Sequence, residues 1–193
     1  RVNRGGTPLN KQEMRNALYR GRCTRMLDKL CCSPEFLIAT GRSINKERMK
    51  DQYVVLRAIA FLMLHRGEFK DIPALQYRGD IDDFLARFMV YVNDNAPEKL
   101  IVDYENLFIR CMQISYDLLG ENGFRFSGNG IRRPINMPLF EALSYLFSFV
   151  PEKIDYTWAS RLILDIESVK EEFADSRYFS GNIDSTTSVP FRF

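Results

Sequence analysis

Residues 46–66, KERMKDQYVVLRAIAFLMLHR, decide the fold. Met49, Tyr53, Leu56, Ala60 and Met63 recur at helical spacing, and Val54, Val55, Ile59, Phe61, Leu62 and Leu64 fill much of the remaining circumference. A helix that is apolar nearly all round must be enclosed by other elements. This segment is therefore expected to be the central core helix, with residues 53–64 among the most buried. His65, near its end, reads as a C-terminal helix residue rather than as a catalyst.

Working outward, further helices follow. On the N-terminal side, Asn10-Lys11-Gln12-Glu13 has the form of a capping box, with Leu9 and Met14 placed for a hydrophobic staple. That helix should run to about Tyr19, where Gly21 stops it. A short helix around 24–30 comes next, and Ser33-Pro34 starts another that Gly41 ends. On the C-terminal side, Asp80 can cap a helix over 81–94, and Pro97 opens one over 97–119 that Gly120 ends. Asn136 caps a helix that Pro151 stops, and the last clear helix spans 156–174, with Trp158, Leu162, Ile166, Val169 and Phe173 inward. Residues 121–135 are loop chemistry in which Phe124 and Phe126 alternate too briefly for more than a turn or small hairpin. The expectation is an all-α, irregular bundle of about seven to nine helices over residues 1–176. Residues 177–193 are expected as an extended tail or the start of a truncated helix, with Asn182–Ser188 extended.

Composition narrows the classes. The 193 residues are 46% hydrophobic and 27% charged, close to globular averages, which sets aside disorder and a disulfide scaffold. The longest unbroken apolar run, Ala58–Leu64, is far short of the ~20 residues that span a bilayer, so no membrane partner is expected. The opening has neither an apolar signal region nor a starting Met, which reads as a cytoplasmic fragment or processed chain. Cys23, Cys31, Cys32 and Cys111 form no C-x-x-C pair, and Cys31 and Cys32 are adjacent, so structural zinc is a poor fit and reduced, mostly buried thiols are expected. With one histidine, Ser-His-Asp and His-metal chemistries are nearly closed. There is no nucleophile elbow, Walker loop, dinucleotide fingerprint, zincin helix or EF-hand loop. Asp82/Asp83, the one acidic pair weighed as a metal site, reads as a solvated N-terminal helix turn.

The net charge of +2 conceals a division. Residues 1–70 hold 15 Lys/Arg against 6 Asp/Glu; residues 71–193 hold 12 against 19. Such asymmetry marks a phosphate or nucleic-acid surface, or a basic segment docked on an acidic partner inside or outside the chain. The basic excess is densest around Arg1-Val2-Asn3-Arg4-Gly5-Gly6-Thr7-Pro8-Leu9. Two glycines let a loop approach a ligand closely, turn amides and a helix N-terminus favour anions, and Arg1, Arg4 and Arg15 could add bidentate contacts. The alternative is a turn that merely positions the first helix, with its arginines solvated.

The pattern R-x-N-x-G-G-T-x-L-x-x-Q-E-x-R-N-A-L, from Arg1 to Leu18, resembles the segment that follows the nuclease-like core of GmrSD-type, ParB/sulfiredoxin-like proteins, a former domain of unknown function linked to restriction of modified or phage DNA. Val55-Leu56-Arg57-Ala58-Ile59-Ala60-Phe61, Asp82-Asp83-Phe84-Leu85 with Phe88-Met89, Gly123-Phe124-Arg125 and Asn136-Met137-Pro138-Leu139-Phe140-Glu141-Ala142 resemble later family segments in order and spacing. The family's chemistry is associated with an upstream I-D-G-Q-Q-R motif that this sequence lacks. The resemblance therefore implies a helical accessory region with no catalytic residues of its own, whose parent would hold nucleotide and Mg²⁺ in an upstream nuclease-like core. What carries over is Arg1, Asn3, Gly5, Gly6, Thr7, Gln12, Glu13 and Arg15; Arg4 stands where a small polar residue is common. Arg1, Asn3, Arg4, Gly5, Gly6, Thr7, Gln12 and Arg15 are thus the candidate phosphate or nucleic-acid groups. The competing expectation is a non-catalytic module that binds nucleic acid or protein through the basic first 70 residues.

Overall fold

The computed structural model describes residues 7–127, 132–151, 153 and 155–193, and every regular element among them is helical. The α-helices are α1 (Lys11–Leu18), α2 (Arg22–Cys31), α3 (Pro34–Ala39), α4 (Lys50–His65), α5 (Ile81–Asp94), α6 (Glu98–Leu119), α7 (Met137–Phe147), α8 (Tyr156–Phe173) and α9 (Ser188–Phe191). Short 3₁₀ turns occupy Glu47–Met49, Pro73–Leu75 and Gly120–Asn122. The all-α expectation holds, and α4 is the axis: every residue from Val54 to Met63 is buried. Helices α7, α2 and α5 cover it, with α1 and α6 completing the enclosure. No helix among the described residues is long and apolar enough to cross a membrane.

Local signals explain most boundaries. Asn10 and Glu13 form the reciprocal capping box: the Asn10 side chain accepts from the Glu13 amide at 2.8 Å and Glu13 accepts from the Asn10 amide at 2.6 Å. The Ser33, Asp80 and Asn136 side chains cap α3, α5 and α7. Phe36 of α3, Phe108 of α6 and Phe140 of α7 meet with centroids 6.1–6.4 Å apart, and Phe124 packs on Phe140 at 4.3 Å. Phe124 therefore acts as a plug into this aromatic layer and Phe126 packs on Phe179 at 5.5 Å, neither as a strand residue.

Several expectations need correction. The central helix starts at Lys50, not near 46, because Arg48 and Met49 both have φ of 57°, a left-handed excursion that redirects the chain. Asn10 fixes that excursion by donating to the Arg48 carbonyl at 2.8 Å. The expected staple does not close, since Leu9 (60%) and Met14 (43%) are both exposed. Gly21 is the N-terminal boundary of α2, not the stop of α1. A Cβ there would lie 2.5 Å from Asn93 Oδ1, and Asn93 needs that space to accept from the Cys23 amide and donate to the Tyr19 carbonyl. On α8, Ile166 is buried but Trp158 and Val169 are exposed. This helix packs on α6 over a short length, and Leu162, Val169 and Phe173 border an open apolar cavity of about 530 Å³ shared with Leu146 and Phe149. Residues 181–187 turn instead of running extended, and the segment after 176 folds back, burying Phe179, Val189 and Arg192.

Candidate functional site

Of the candidate residues, Arg1, Asn3, Arg4, Gly5 and Gly6 lie outside the described residues. Thr7 is exposed at the foot of α1. Gln12 and Arg15 come together one helical turn apart and are both buried. Arg15 donates from Nε and Nη2 to Gln12 Oε1 at 3.0 and 2.9 Å, and from Nη1 to Asp82 Oδ1 at 2.7 Å. Its guanidinium lies 5.5 Å from the centre of the Tyr53 ring. Three of the five guanidinium N–H groups serve these contacts, so Arg15 faces its own chain. Lys11 also pairs with Asp82. Burial pushes the Asp82 carboxyl up, but the hydrogen bonds from Lys11 and Arg15 outweigh it and hold the group below the usual carboxylate value. Both acids sit in the first turn of α5 as expected; Asp83 is exposed there and accepts from Arg87 Nε at 2.9 Å, while the partly exposed Asp82 is in addition an ion-pair partner.

Arg48 completes the arrangement. It donates to the Pro8 carbonyl at 2.6 Å and to Glu13 at 3.2 Å, while Glu13 is held below its usual pKa by the Asn10 amide and by Arg48. Helix α1 is therefore pinned to α4 and α5 beside a polar cleft of about 480 Å³, lined by Lys11, Arg15, Arg48, Lys50, Tyr53 and Asp82 among others.

The charge division visible in the sequence is met in part within the chain, by five bases of the first 70 residues. Besides Lys11 and Arg15 on Asp82, Arg22 reaches Glu98 at 2.8 Å, Lys29 pairs with Glu105, and Arg57 reaches Glu141 at 2.5 Å and Asp184 at 2.7 Å. Each links a base in the first 70 residues to an acid beyond them. Arg20, Arg25, Arg42 and Lys46 remain exposed.

The Arg57–Glu141 pair is the element that sequence reasoning missed. Both side chains are essentially inaccessible, and Arg192 adds a second guanidinium to Glu141 at 2.9 Å. Burial works against the Arg57 charge, but Glu141 and Asp184 outweigh it and raise the pKa; for Arg192 burial wins and lowers it. The available signal was a single charge, Arg57, in the apolar stretch 53–64 of α4 and a single charge, Glu141, in the otherwise apolar α7, because a buried charge needs a buried partner. His65 lies beside this network, its ring stacked on Phe193 at 3.9 Å. Burial, with Arg192 second, pulls its pKa down to about 4, so the imidazole is neutral at pH 7. Burial pushes the Cys23 and Cys111 thiols up to about 12 and raises Cys31 as well; Cys32 alone is exposed. Among the described residues no group of three or more His, Cys, Asp or Glu side chains is arranged to hold a metal ion.

A second cleft, of about 450 Å³, lies on the other side of residues 43–50. Ser43, Asn45, Lys50, Arg125 and Arg132 supply its polar wall. Gly41, with φ of 58°, leaves the space in which Arg132 reaches Glu121 at 3.2 Å; a Cβ at Gly41 would fall 2.3 Å from Arg132 Nη2. Comparison of the chain with protein-family models, curated proteins and solved structures finds no match.

Proposed function

We propose that this chain is a non-catalytic helical accessory module of a GmrSD-like DNA-restriction protein, and that Thr7–Leu18 is the fixed junction between it and an upstream nuclease-like core. The observation that carries the reading is the Gln12–Arg15–Asp82 cluster. The motif residues that the resemblance singles out spend their donors on clamping α1 to α5, which is the work of a junction and not of a ligand-facing loop. Two further features agree with a non-catalytic role. The lone imidazole is held neutral in an aromatic stack, and three of the four thiols are buried with raised pKa values, so neither offers an activated nucleophile or base. In this reading nucleotide and Mg²⁺ belong to the upstream core, and no step is assigned to them here.

The test begins with the coding sequence upstream of Arg1, where an in-frame I-D-G-Q-Q-R is expected. The core encoded there, expressed separately, should bind this chain in calorimetry, and Asp82→Asn should weaken that binding at least tenfold. Absence of the motif, or binding indifferent to Asp82→Asn, would overturn the proposal. The second reading, a nucleic-acid-binding module, is favoured by exposed Arg20, Arg25, Arg42 and Lys46. It requires duplex DNA affinity that falls steeply with salt, at roughly −0.9 log units per contacted phosphate.

A further inference from the structure

Four arginines are buried among the described residues, and three of them meet carboxylates: Arg15 with Asp82, Arg57 with Glu141 and Asp184, and Arg192 with Glu141. Arg125 does not. It is 5% exposed, yet its described partners are neutral acceptors: the Arg133 and Thr40 carbonyls and the Ser43 hydroxyl. Its Nε is buried with no partner among the described residues. Glu121 acts on it only at longer range and is itself paired with Arg132. A buried cation without a counter-charge is costly, and a chain that elsewhere pairs its buried arginines has left this one incomplete.

The surroundings point to what completes it. Arg125 lines the 450 Å³ cleft together with Arg132 and Lys50, and among the described residues no carboxylate stands in its lining. Ser43 and Asn45 add neutral polar groups. The rest of the lining is apolar, formed by Ile44, Val54, Pro134, Ile135 and Met137. Three cationic side chains in one lining suit a dianion, since guanidinium groups grip phosphate oxygens in pairs. The volume exceeds what an inorganic anion fills and lies in the range of small-molecule sites, which combine an apolar lining with a few placed polar groups.

We propose that this cleft binds a small organic phosphomonoester, its phosphate held by Arg125, Arg132 and Lys50 and its apolar body lying on Val54, Ile135 and Met137. The site is separate from the α1 clamp and does not depend on the function proposed above. Burial and the nearby Arg132 both disfavour the Arg125 charge in the empty cleft, which is the condition a bound anion relieves.

Phenyl phosphate and inorganic phosphate serve as probes against the intact chain at fixed ionic strength. Phenyl phosphate is expected to bind with saturation, at least tenfold more tightly than inorganic phosphate. At ten times its Kd it should raise Tm by about 3–6 °C. Arg125→Gln should abolish binding while leaving the ligand-free Tm unchanged or higher, because a buried unpaired charge has been removed. Should Arg125→Gln fail to fold, Arg132→Ala and Lys50→Ala, both at exposed positions, carry the decision, each weakening binding at least fivefold. Arg20→Ala, in the link between α1 and α2, should leave it unchanged. No saturable shift with phenyl phosphate, equal affinity for the two probes, or binding that survives both Arg132→Ala and Lys50→Ala would overturn the proposal. So would an oligonucleotide that binds this cleft when phenyl phosphate does not.

Discussion

Replacing Glu141 by Gln probes the most deeply buried charges in the fold. Glu141 accepts from Arg57 Nε at 2.5 Å and from Arg192 Nη2 at 2.9 Å, with all three side chains closed to solvent. The amide keeps the shape but removes the negative charge. It can still accept through one atom, while its NH₂ then confronts a guanidinium. Arg57 retains Asp184, but Arg192 is left with the carbonyls of Tyr178 and Ile183. Breaking a buried pair from one side costs about 3–5 kcal/mol, a large share of the ~5–15 kcal/mol that holds an ordinary domain together. For a chain of this length that corresponds to a Tm lower by about 6–20 °C. Urea unfolding at pH 7, followed by circular dichroism, gives the value directly, provided the m-value is unchanged. The double change Glu141→Leu with Arg192→Met removes both partners and leaves Arg57–Asp184 intact. It should recover about 0.5–3 kcal/mol relative to the sum of the single changes. If Glu141→Gln stays within about 1 kcal/mol of the parent, the network is not the anchor of the C-terminal segment, and the reasoning fails.

Three further outcomes follow from single residues. The His65 pKa is lowered from 6.5 to about 4 in the folded state, so the unfolded chain binds the proton more readily. Stability is complete above about pH 6.5 and declines as pH falls toward 4, by about 2 kcal/mol once partial exposure is allowed for, and His65→Phe should abolish that decline in melts at pH 7 and 4.5. Asn10→Ala removes the α1 cap and the tie to the Arg48 carbonyl, and should lower unfolding free energy by about 1–2 kcal/mol in urea titrations. A thiol reagent should modify Cys32 rapidly in the folded protein and reach Cys23, Cys31 and Cys111 only on denaturation; two or more fast thiols would contradict their burial.

The helices were legible because their signals are local. Caps at Asn10, Ser33, Asp80 and Asn136, and the all-round apolar surface of 54–63, need no knowledge of partners. The candidate site was legible only in part. Gln12 and Arg15 could be picked out as unusual, but whether Arg15 faced a phosphate or Asp82, 67 residues away, depends on how α1 meets α5. The Arg57–Glu141 partnership likewise spans 84 residues, and its only sequence trace is one charge in the apolar stretch 53–64 and one in α7. The left-handed Arg48 and Met49 and the inward fold of residues 177–193 are set by tertiary contacts to Asn10 and Glu141, which no local propensity encodes.

Hydrogen exchange on the Arg15→Gln chain tests the central claim, that the motif residues clamp α1 to the helical body, most directly. The account predicts that amides of residues 11–18 and 47–50 exchange at least tenfold faster than in the parent. Those of α6 and α7 should be unchanged, and any affinity for duplex DNA should keep the same salt slope. Unaltered protection of α1, together with a DNA salt slope flattened by about one unit, would contradict it and return Arg15 to the phosphate-binding role.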